Sequence, residues 1–353
     1  MESDDVRRAA QMWGDDERAA FYARGGLMWS QLGAVQKRIN EKITGSAETD
    51  WVDYVKATHL AGLAPVSECL SLCCGDGHLE RRMAQAGLFG HCLGLDAAAN
   101  ALIRARERAK AEGLSNIDYA CDDLNTAKLQ GHHYDLVVAH SALHHVAALE
   151  RLADQVRGCL KPGGLLIIDD YVGPSRFQRS DRQLEACNAA LRLLPAPLRR
   201  SVSWDRARRV GPGARRTPAG WARLLWVKVS SGQLLRVLAG RLSMARARGR
   251  GGDVYKDRIA PINAEALAID DPTEAVRSQE ILGVIQERFD IIERKPYGGT
   301  LLMPVLDDIA ANFEGDDPAG EALLQMLFDI EDAMIAGGEL TSDFVFMVAR
   351  PLP

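Results

Sequence analysis

The chain has 353 residues, 47% hydrophobic and 26% charged, with a formal net charge of −5. That is ample material for a large core and is the make-up of a globular protein. No run of about 18 apolar residues occurs, which excludes a membrane-spanning helix. The opening Met-Glu-Ser-Asp-Asp lacks an apolar signal region, so a cytoplasmic location is expected. All seven cysteines lie between Cys69 and Cys187. Without paired metal spacing, they read as small core residues in a reducing compartment.

Residues 1–62 read as helical. Trp13, Phe21, Tyr22, Trp29, Leu32, Val35, Ile39, Trp51 and Tyr54 are spread along polar segments, with Gly45-Ser46 between two helices. Aromatic side chains at helical spacing are core residues in the ordinary case, and here they can also cap a ligand.

From residue 66 to 172 strands alternate with helices. Strands are expected at 68–73, 91–95, 117–121, 134–139 and 164–170, with helices over 78–86, 98–112 and 147–159. Such alternation predicts a parallel sheet with helices on both faces and ligands beyond the carboxyl ends of the strands. At those ends stand Asp76, Asp96, Asp122, Asp123, His140, Asp169, Asp170 and Tyr171. The first strand runs into Cys73-Cys74-Gly75-Asp76-Gly77, a tight turn whose glycines let a ligand lie against the backbone. The helix after it aims free N–H groups at the same place. About 20 residues further on, Asp96 closes the second strand, an offset suited to both hydroxyls of a ribose.

Ser-Leu-Cys-Cys-Gly-Asp-Gly (71–77), Gly-Leu-Asp96, Cys-Asp-Asp-Leu (121–124), Tyr-Asp-Leu-Val-Val (134–138) and Leu-Lys-Pro-Gly-Gly (160–164) follow in that order. This set resembles the class I S-adenosylmethionine-dependent methyltransferases. The dinucleotide fingerprint wants a third glycine where His78 stands. The resemblance implies a Rossmann-like α/β sheet of seven strands, the last antiparallel, and S-adenosyl-L-methionine as cofactor. It implies that the backbone at Cys73, Gly75 and Gly77, with Asp76 in the same turn, approaches the cofactor. Asp96 then holds the ribose, Asp122 or Asp123 the adenine amino group, and Leu124 lies beside the ring. Two positions depart from the family pattern: Ser71 replaces an acidic residue and Cys73 a glycine. Later stretches, 271–278 and 296–300, resemble a bacterial subgroup linked to polysaccharides and natural products.

On this reading 1–62 is a helical N-terminal cap and 63–175 the cofactor-binding core. Residues 176–280 form a helical, basic insertion or substrate lid after the fifth strand, and 281–353 complete the sheet. Candidate bases are His140, His145 and His144, with His140 also beside the cofactor. Asp169, Asp170 and Tyr171 can orient a histidine, bind a substrate hydroxyl or help hold Mg²⁺. No metal is expected, because His140 and Ser141 stand where strand four would need a hard oxygen ligand. Arg176 and Arg277 can meet anionic substrate groups or form structural ion pairs.

Residues 191–258 carry 17 Lys or Arg against three Asp, with Trp221, Leu224, Leu225, Val229, Leu235, Leu238 and Leu242 at helical spacing. A basic lid, a peripheral membrane contact serving a lipid-linked substrate, and nucleic-acid binding all remain open for it. The last is disfavoured because no RNA module accompanies the charge. The expected activity is methyl transfer to a small-molecule or glycan acceptor, at oxygen. The rivals are a catalytically silent cofactor-binding relative and an RNA methyltransferase.

Overall fold

The computed structural model describes residues 4–14, 26–201 and 254–352. Seven strands form one sheet: β1 (Val66–Leu72), β2 (Phe89–Asp96), β3 (Ile117–Cys121), β4 (Tyr134–His140), β5 (Leu160–Tyr171), β6 (Phe289–Gly298) and β7 (Phe344–Pro351). Their order is β3-β2-β1-β4-β5-β7-β6. The first five pair in parallel, while β7 enters antiparallel between β5 and β6. The expected seven-stranded α/β sheet is therefore present, and the order reverses beside β1, where β1 and β4 part towards opposite helical layers.

The middle stretches of the central strands are apolar because both faces are covered. On one face Leu70, Leu72, Val137, Ile168 and Met347 are buried in one cluster; on the other Cys69, Leu136, Val138, Ile167 and Phe346 are buried in another. Adjacent residues of one strand thus feed opposite cores, the alternation that the pleat imposes. The core reading holds for four of the seven cysteines: Cys69, Cys92, Cys159 and Cys187 are buried, whereas Cys73 and Cys74 are half-buried and Cys121 is exposed.

Helices α1 (Asp4–Gly14), α2 (Gly33–Thr44) and α3 (Trp51–Thr58) precede the sheet, and Gly45 ends α2 with φ 82°, in the left-handed region that glycine adopts freely. Trp51 and Val55 of α3 join the sheet's own core, while Trp29 and Val35 join Leu191, Leu302 and Leu327 in a third cluster. The N-terminal and C-terminal segments are thereby locked to each other. Among the described residues no helix is long and apolar enough to cross a membrane. Trp13's side chain, Phe21 and Tyr22, and most of the basic stretch 191–258 with its apolar heptad-like residues, lie outside what is described.

Two expected boundaries differ. Strand β5 begins at Leu160 rather than 164, because Leu160 already pairs with Tyr134 before a register shift at the Lys-Pro-Gly-Gly turn. His144 and His145 do not begin a regular helix. They lie in a 3₁₀ turn, Leu143–His145, and the helix starts at Leu149. Asp170 causes this by accepting from the N–H groups of Ala142 and Leu143, at 3.0 and 2.7 Å. Asn125 Oδ1 then accepts from Ala147 and Ala148, satisfying donors at the true helix start.

Candidate active site at the strand tips

The turn after β1 is shaped by backbone conformation. Cys73, Gly75 and Gly77 have φ of 53°, 56° and 75°. For Cys73 this is a strained conformation, costing on the order of 1–3 kcal/mol. Cys73 thus takes the left-handed backbone that glycine adopts without strain. A Cβ placed on Gly75 would meet nothing within 4 Å, so that peptide faces open space. Gly77 is closed on its side: a Cβ there would lie 2.9 Å from Tyr119 Cζ.

Asp96 at the tip of β2 ties this turn to its own strand. One carboxylate oxygen accepts from Gly75 N at 2.8 Å and the other from Ala98 N at 2.7 Å. Each oxygen retains a second lone pair. Burial raises the Asp96 pKa, opposed by the two backbone bonds. An open glycine peptide beside a carboxylate with spare acceptor capacity fits the ribose and methionine portions of an adenosyl sulfonium. Gly75, Cys73 and Asp96 would hold that group.

At the tip of β3 the two aspartates separate. Asp122 is half-buried, and its Oδ1 accepts from Asp123 N at 2.9 Å. Asp123 is buried; its Oδ1 takes both the backbone and side-chain N–H of Asn125, while Oδ2 has no partner. A buried orphan acceptor of this kind is suited to a donor from a ligand. Leu124 is buried beside it in the cluster containing Leu70 and Leu72. Asp76 is placed differently: its carboxylate pairs with Arg108 on the helix Ala99–Ala111, fastening the turn from outside.

The tips of β4 and β5 carry the acid–base groups. His140 Nδ1 lies 3.0 Å from Asp169 Oδ2, and the Tyr297 hydroxyl donates to Asp169 Oδ1 at 2.7 Å. A carboxylate only accepts, so Nδ1 carries the proton and Nε2 keeps its lone pair. His140 leaves 44% of its side chain accessible between the buried Asp169 and Trp51, a partly open recess at the strand tips. Burial alone would lower its pKa, but Asp169, Asp170 and Glu80 together raise it above the usual histidine value. Trp51 stands 6.3 Å from the imidazole, ring centre to ring centre. Ser141, next along the chain, has φ 50°, a second strained tip.

Asp170 points the other way. Beyond the two backbone N–H groups named above, it binds His144 Nδ1 at 2.5 Å and accepts from Tyr171 N. His144 also faces Glu274, and although burial opposes the charge, these carboxylates push its pKa to about 9. His145 stacks near it, with centroids 4.1 Å apart, and its Nδ1 lies 3.2 Å from Thr273 Oγ1. Tyr171 is buried and donates to Pro174 O at 3.1 Å. Burial raises its pKa far above the usual phenol range.

Both arginines are engaged within the protein. Arg277 forks onto Glu150 and Glu280, while Arg176 donates to the carbonyls of Asp271, Pro272 and Glu274. Sequence reasoning missed two contributors to the recess: Tyr297, which arrives from β6, and Glu80, which sits below the glycine turn. The strand before Gly298-Gly299 was visible, but nothing in its spacing pointed Tyr297 at Asp169.

A methyltransferase-domain family model matches residues 69–164, the stretch from β1 to the start of β5. Among curated relatives, a 2-phytyl-1,4-naphtoquinone methyltransferase of Trichormus variabilis is 26% identical over 43% of this chain. A ubiquinone biosynthesis O-methyltransferase of Chelativorans is 32% identical over 28% of this chain. The chain covers 66% of the first relative's length and 38% of the second's. A solved S-adenosylmethionine dependent methyltransferase from Mesorhizobium loti aligns over 85% of this chain and 97% of its own, at 16% identity and a TM-score of 0.41. Residues 69–164 match a methyltransferase domain and lie within the seven-stranded mixed sheet, with the glycine turn, Asp96 and Asp123 at its strand tips.

Proposed function

We propose that the protein transfers the methyl group of S-adenosyl-L-methionine to a hydroxyl oxygen of a small-molecule acceptor, with His140 as general base. The observation that carries this is the His140–Asp169–Tyr297 arrangement at the edge of the recess. The cofactor supplies an electrophilic methyl on a sulfonium. Cys73, Gly75 and Asp96 position it, with Asp122 or Asp123 at the adenine end and Leu124 beside that ring. His140 Nε2 takes the acceptor's hydroxyl proton while Asp169 stabilises the imidazolium formed, and Tyr297 holds Asp169 in place. Trp51 stands beside His140 on the side of the recess formed by the N-terminal helices.

A neutral alcohol or phenol must lose its proton to become a strong nucleophile, which is the task a base at this position serves. The relatives named for quinone and ubiquinone methylation support a small hydroxylated ring as the first acceptor class to assay. Glycan and lipid-linked hydroxyls remain acceptors that the same base could serve, and contact with a membrane through 191–258 would belong to the lipid-linked case.

The test is methyl transfer from labelled cofactor across hydroxylated quinols, phenols and sugars, for the wild type and His140→Ala. Turnover on an oxygen acceptor, reduced about 10²–10⁴-fold in the variant with cofactor affinity kept, is expected. Cofactor binding without turnover would favour a silent relative. Labelled RNA with steep salt dependence would favour an RNA methyltransferase.

A further inference from the structure

Beyond the His140 recess, three donors from two distant parts of the chain converge. One donor atom each of His144, His145 and Glu274 lies within 4.8 Å of the other two. His144 Nε2 and Glu274 Oε1 are 3.8 Å apart, too long for a hydrogen bond and close to the spacing of two ligands on one small cation.

From this geometry we infer that His144, His145 and Glu274 form a site for a borderline divalent cation of the Zn²⁺ or Co²⁺ class. Two imidazoles and one carboxylate suit such ions, and three protein ligands leave a further coordination position open. Ca²⁺ and Mg²⁺ would want more oxygen donors.

The surroundings hold the donors in place. Asp170 fixes the far nitrogen of His144, as a supporting carboxylate does for a metal-bound histidine, and is itself anchored by the Ala142 and Leu143 N–H groups. Thr273 meets His145 Nδ1 and is tied to Asp271 Oδ1 at 2.8 Å. Val276 N donates to His144 O at 2.9 Å, fastening the Glu274 loop to the histidine turn. Arg176 grips three carbonyls of that loop, and Ala275 within it has φ 47°. The site does not depend on the methyl-transfer reading, since its donors are distinct from His140 and Asp169.

The experiment uses the full chain, stripped with chelator and titrated with CoCl₂, followed by visible absorption and by metal analysis after dialysis. One tightly held equivalent with absorption of low-symmetry, few-coordinate Co²⁺ is expected, displaced by Zn²⁺. His145→Ala and Glu274→Gln should each weaken affinity at least about 10-fold, and Asp170→Asn about 10–100-fold, with unchanged far-ultraviolet circular dichroism. His140→Ala should bind cobalt as the wild type does. Absence of a stoichiometric equivalent would overturn the inference. So would equal affinity in both ligand variants, or loss on His91→Ala, which lies in the separate His91–Glu68–Asp118 cluster.

Discussion

Ser71 on β1 donates a hydrogen bond to Glu80, which lies nine positions later on the following helix. The family pattern has an acidic residue at position 71; here the carboxyl group reaches the same strand from the helix. Glu80 is fully buried, and its Oε2 has no partner, as has the Tyr119 hydroxyl.

This burial has a pH signature. Desolvation raises the Glu80 pKa from 4.5 to about 7, opposed by the Ser71 bond and by the His140 and Arg81 charges, with Tyr119, Cys74 and Cys92 also nearby. Because the folded pKa is the higher one, the folded state binds the extra proton, and stability declines as pH rises from about 4.5 through 7. The loss is on the order of 3 kcal/mol at most. Glu80→Gln should remove that slope, making the variant more stable than the wild type at pH 8 and nearly equal at pH 5. Urea denaturation at the two values checks this; parallel wild-type and variant curves would contradict it.

His140 predicts a different profile, in activity. Its raised pKa sets the acidic limb of kcat/KM above pH 6.5, with activity growing as the imidazole deprotonates. Asp169→Asn should move that limb to lower pH and reduce kcat. Tyr297→Phe should lower kcat less, since Asp169 keeps its bond to His140. A limb that stays put in Asp169→Asn would remove Asp169 from the orienting role.

Asp96→Ala takes away the acceptor of the Gly75 and Ala98 N–H groups and the proposed ribose anchor. Charge-assisted bonds of about 1.5–3 kcal/mol correspond to roughly a 10–100-fold loss of affinity. Calorimetric titration with S-adenosylhomocysteine measures it, and unchanged affinity would place the nucleoside elsewhere.

Gly77→Ala combines a left-handed backbone with a Cβ against Tyr119 Cζ. A destabilisation of about 2–5 kcal/mol follows from strain and overpacking together. Gly75→Ala, with open space beside its Cβ, should cost less stability but more cofactor affinity. Chemical denaturation and titration of both variants separate the two effects.

The parallel half of the sheet was legible because each strand is an apolar run stopped by a glycine or a carboxylate. Cys69 and Leu70 could only be buried on both faces, and Asp96 stood at the right remove from Gly75. What stayed hidden depends on distant segments meeting. Tyr297 reaches Asp169 across 128 positions, and Thr273 reaches His145 across the same separation. The two arginines show the limit of residue type: Arg277 and Arg176 were equally suited to a substrate anion, and the fold gives them Glu150 and backbone carbonyls instead. The His144-His145 pair was visible, but its division into a charged partner of Asp170 and a neighbour of Thr273 depends on β5 and on the 271–277 loop.

Because β7 lies between β5 and β6, the β5 edge has no neighbour on that side until residues 344–351 are in place. During synthesis, the nascent chain leaves the ribosome with every histidine and aspartate of the recess already made, yet with Asp169 on an open strand border and Tyr297 unattached. Phe346, which pairs with Asp169 in register, emerges after all of them. Maturation of the recess therefore waits on β6 and β7, and a chain lacking them would expose a sticky edge rather than a working pocket.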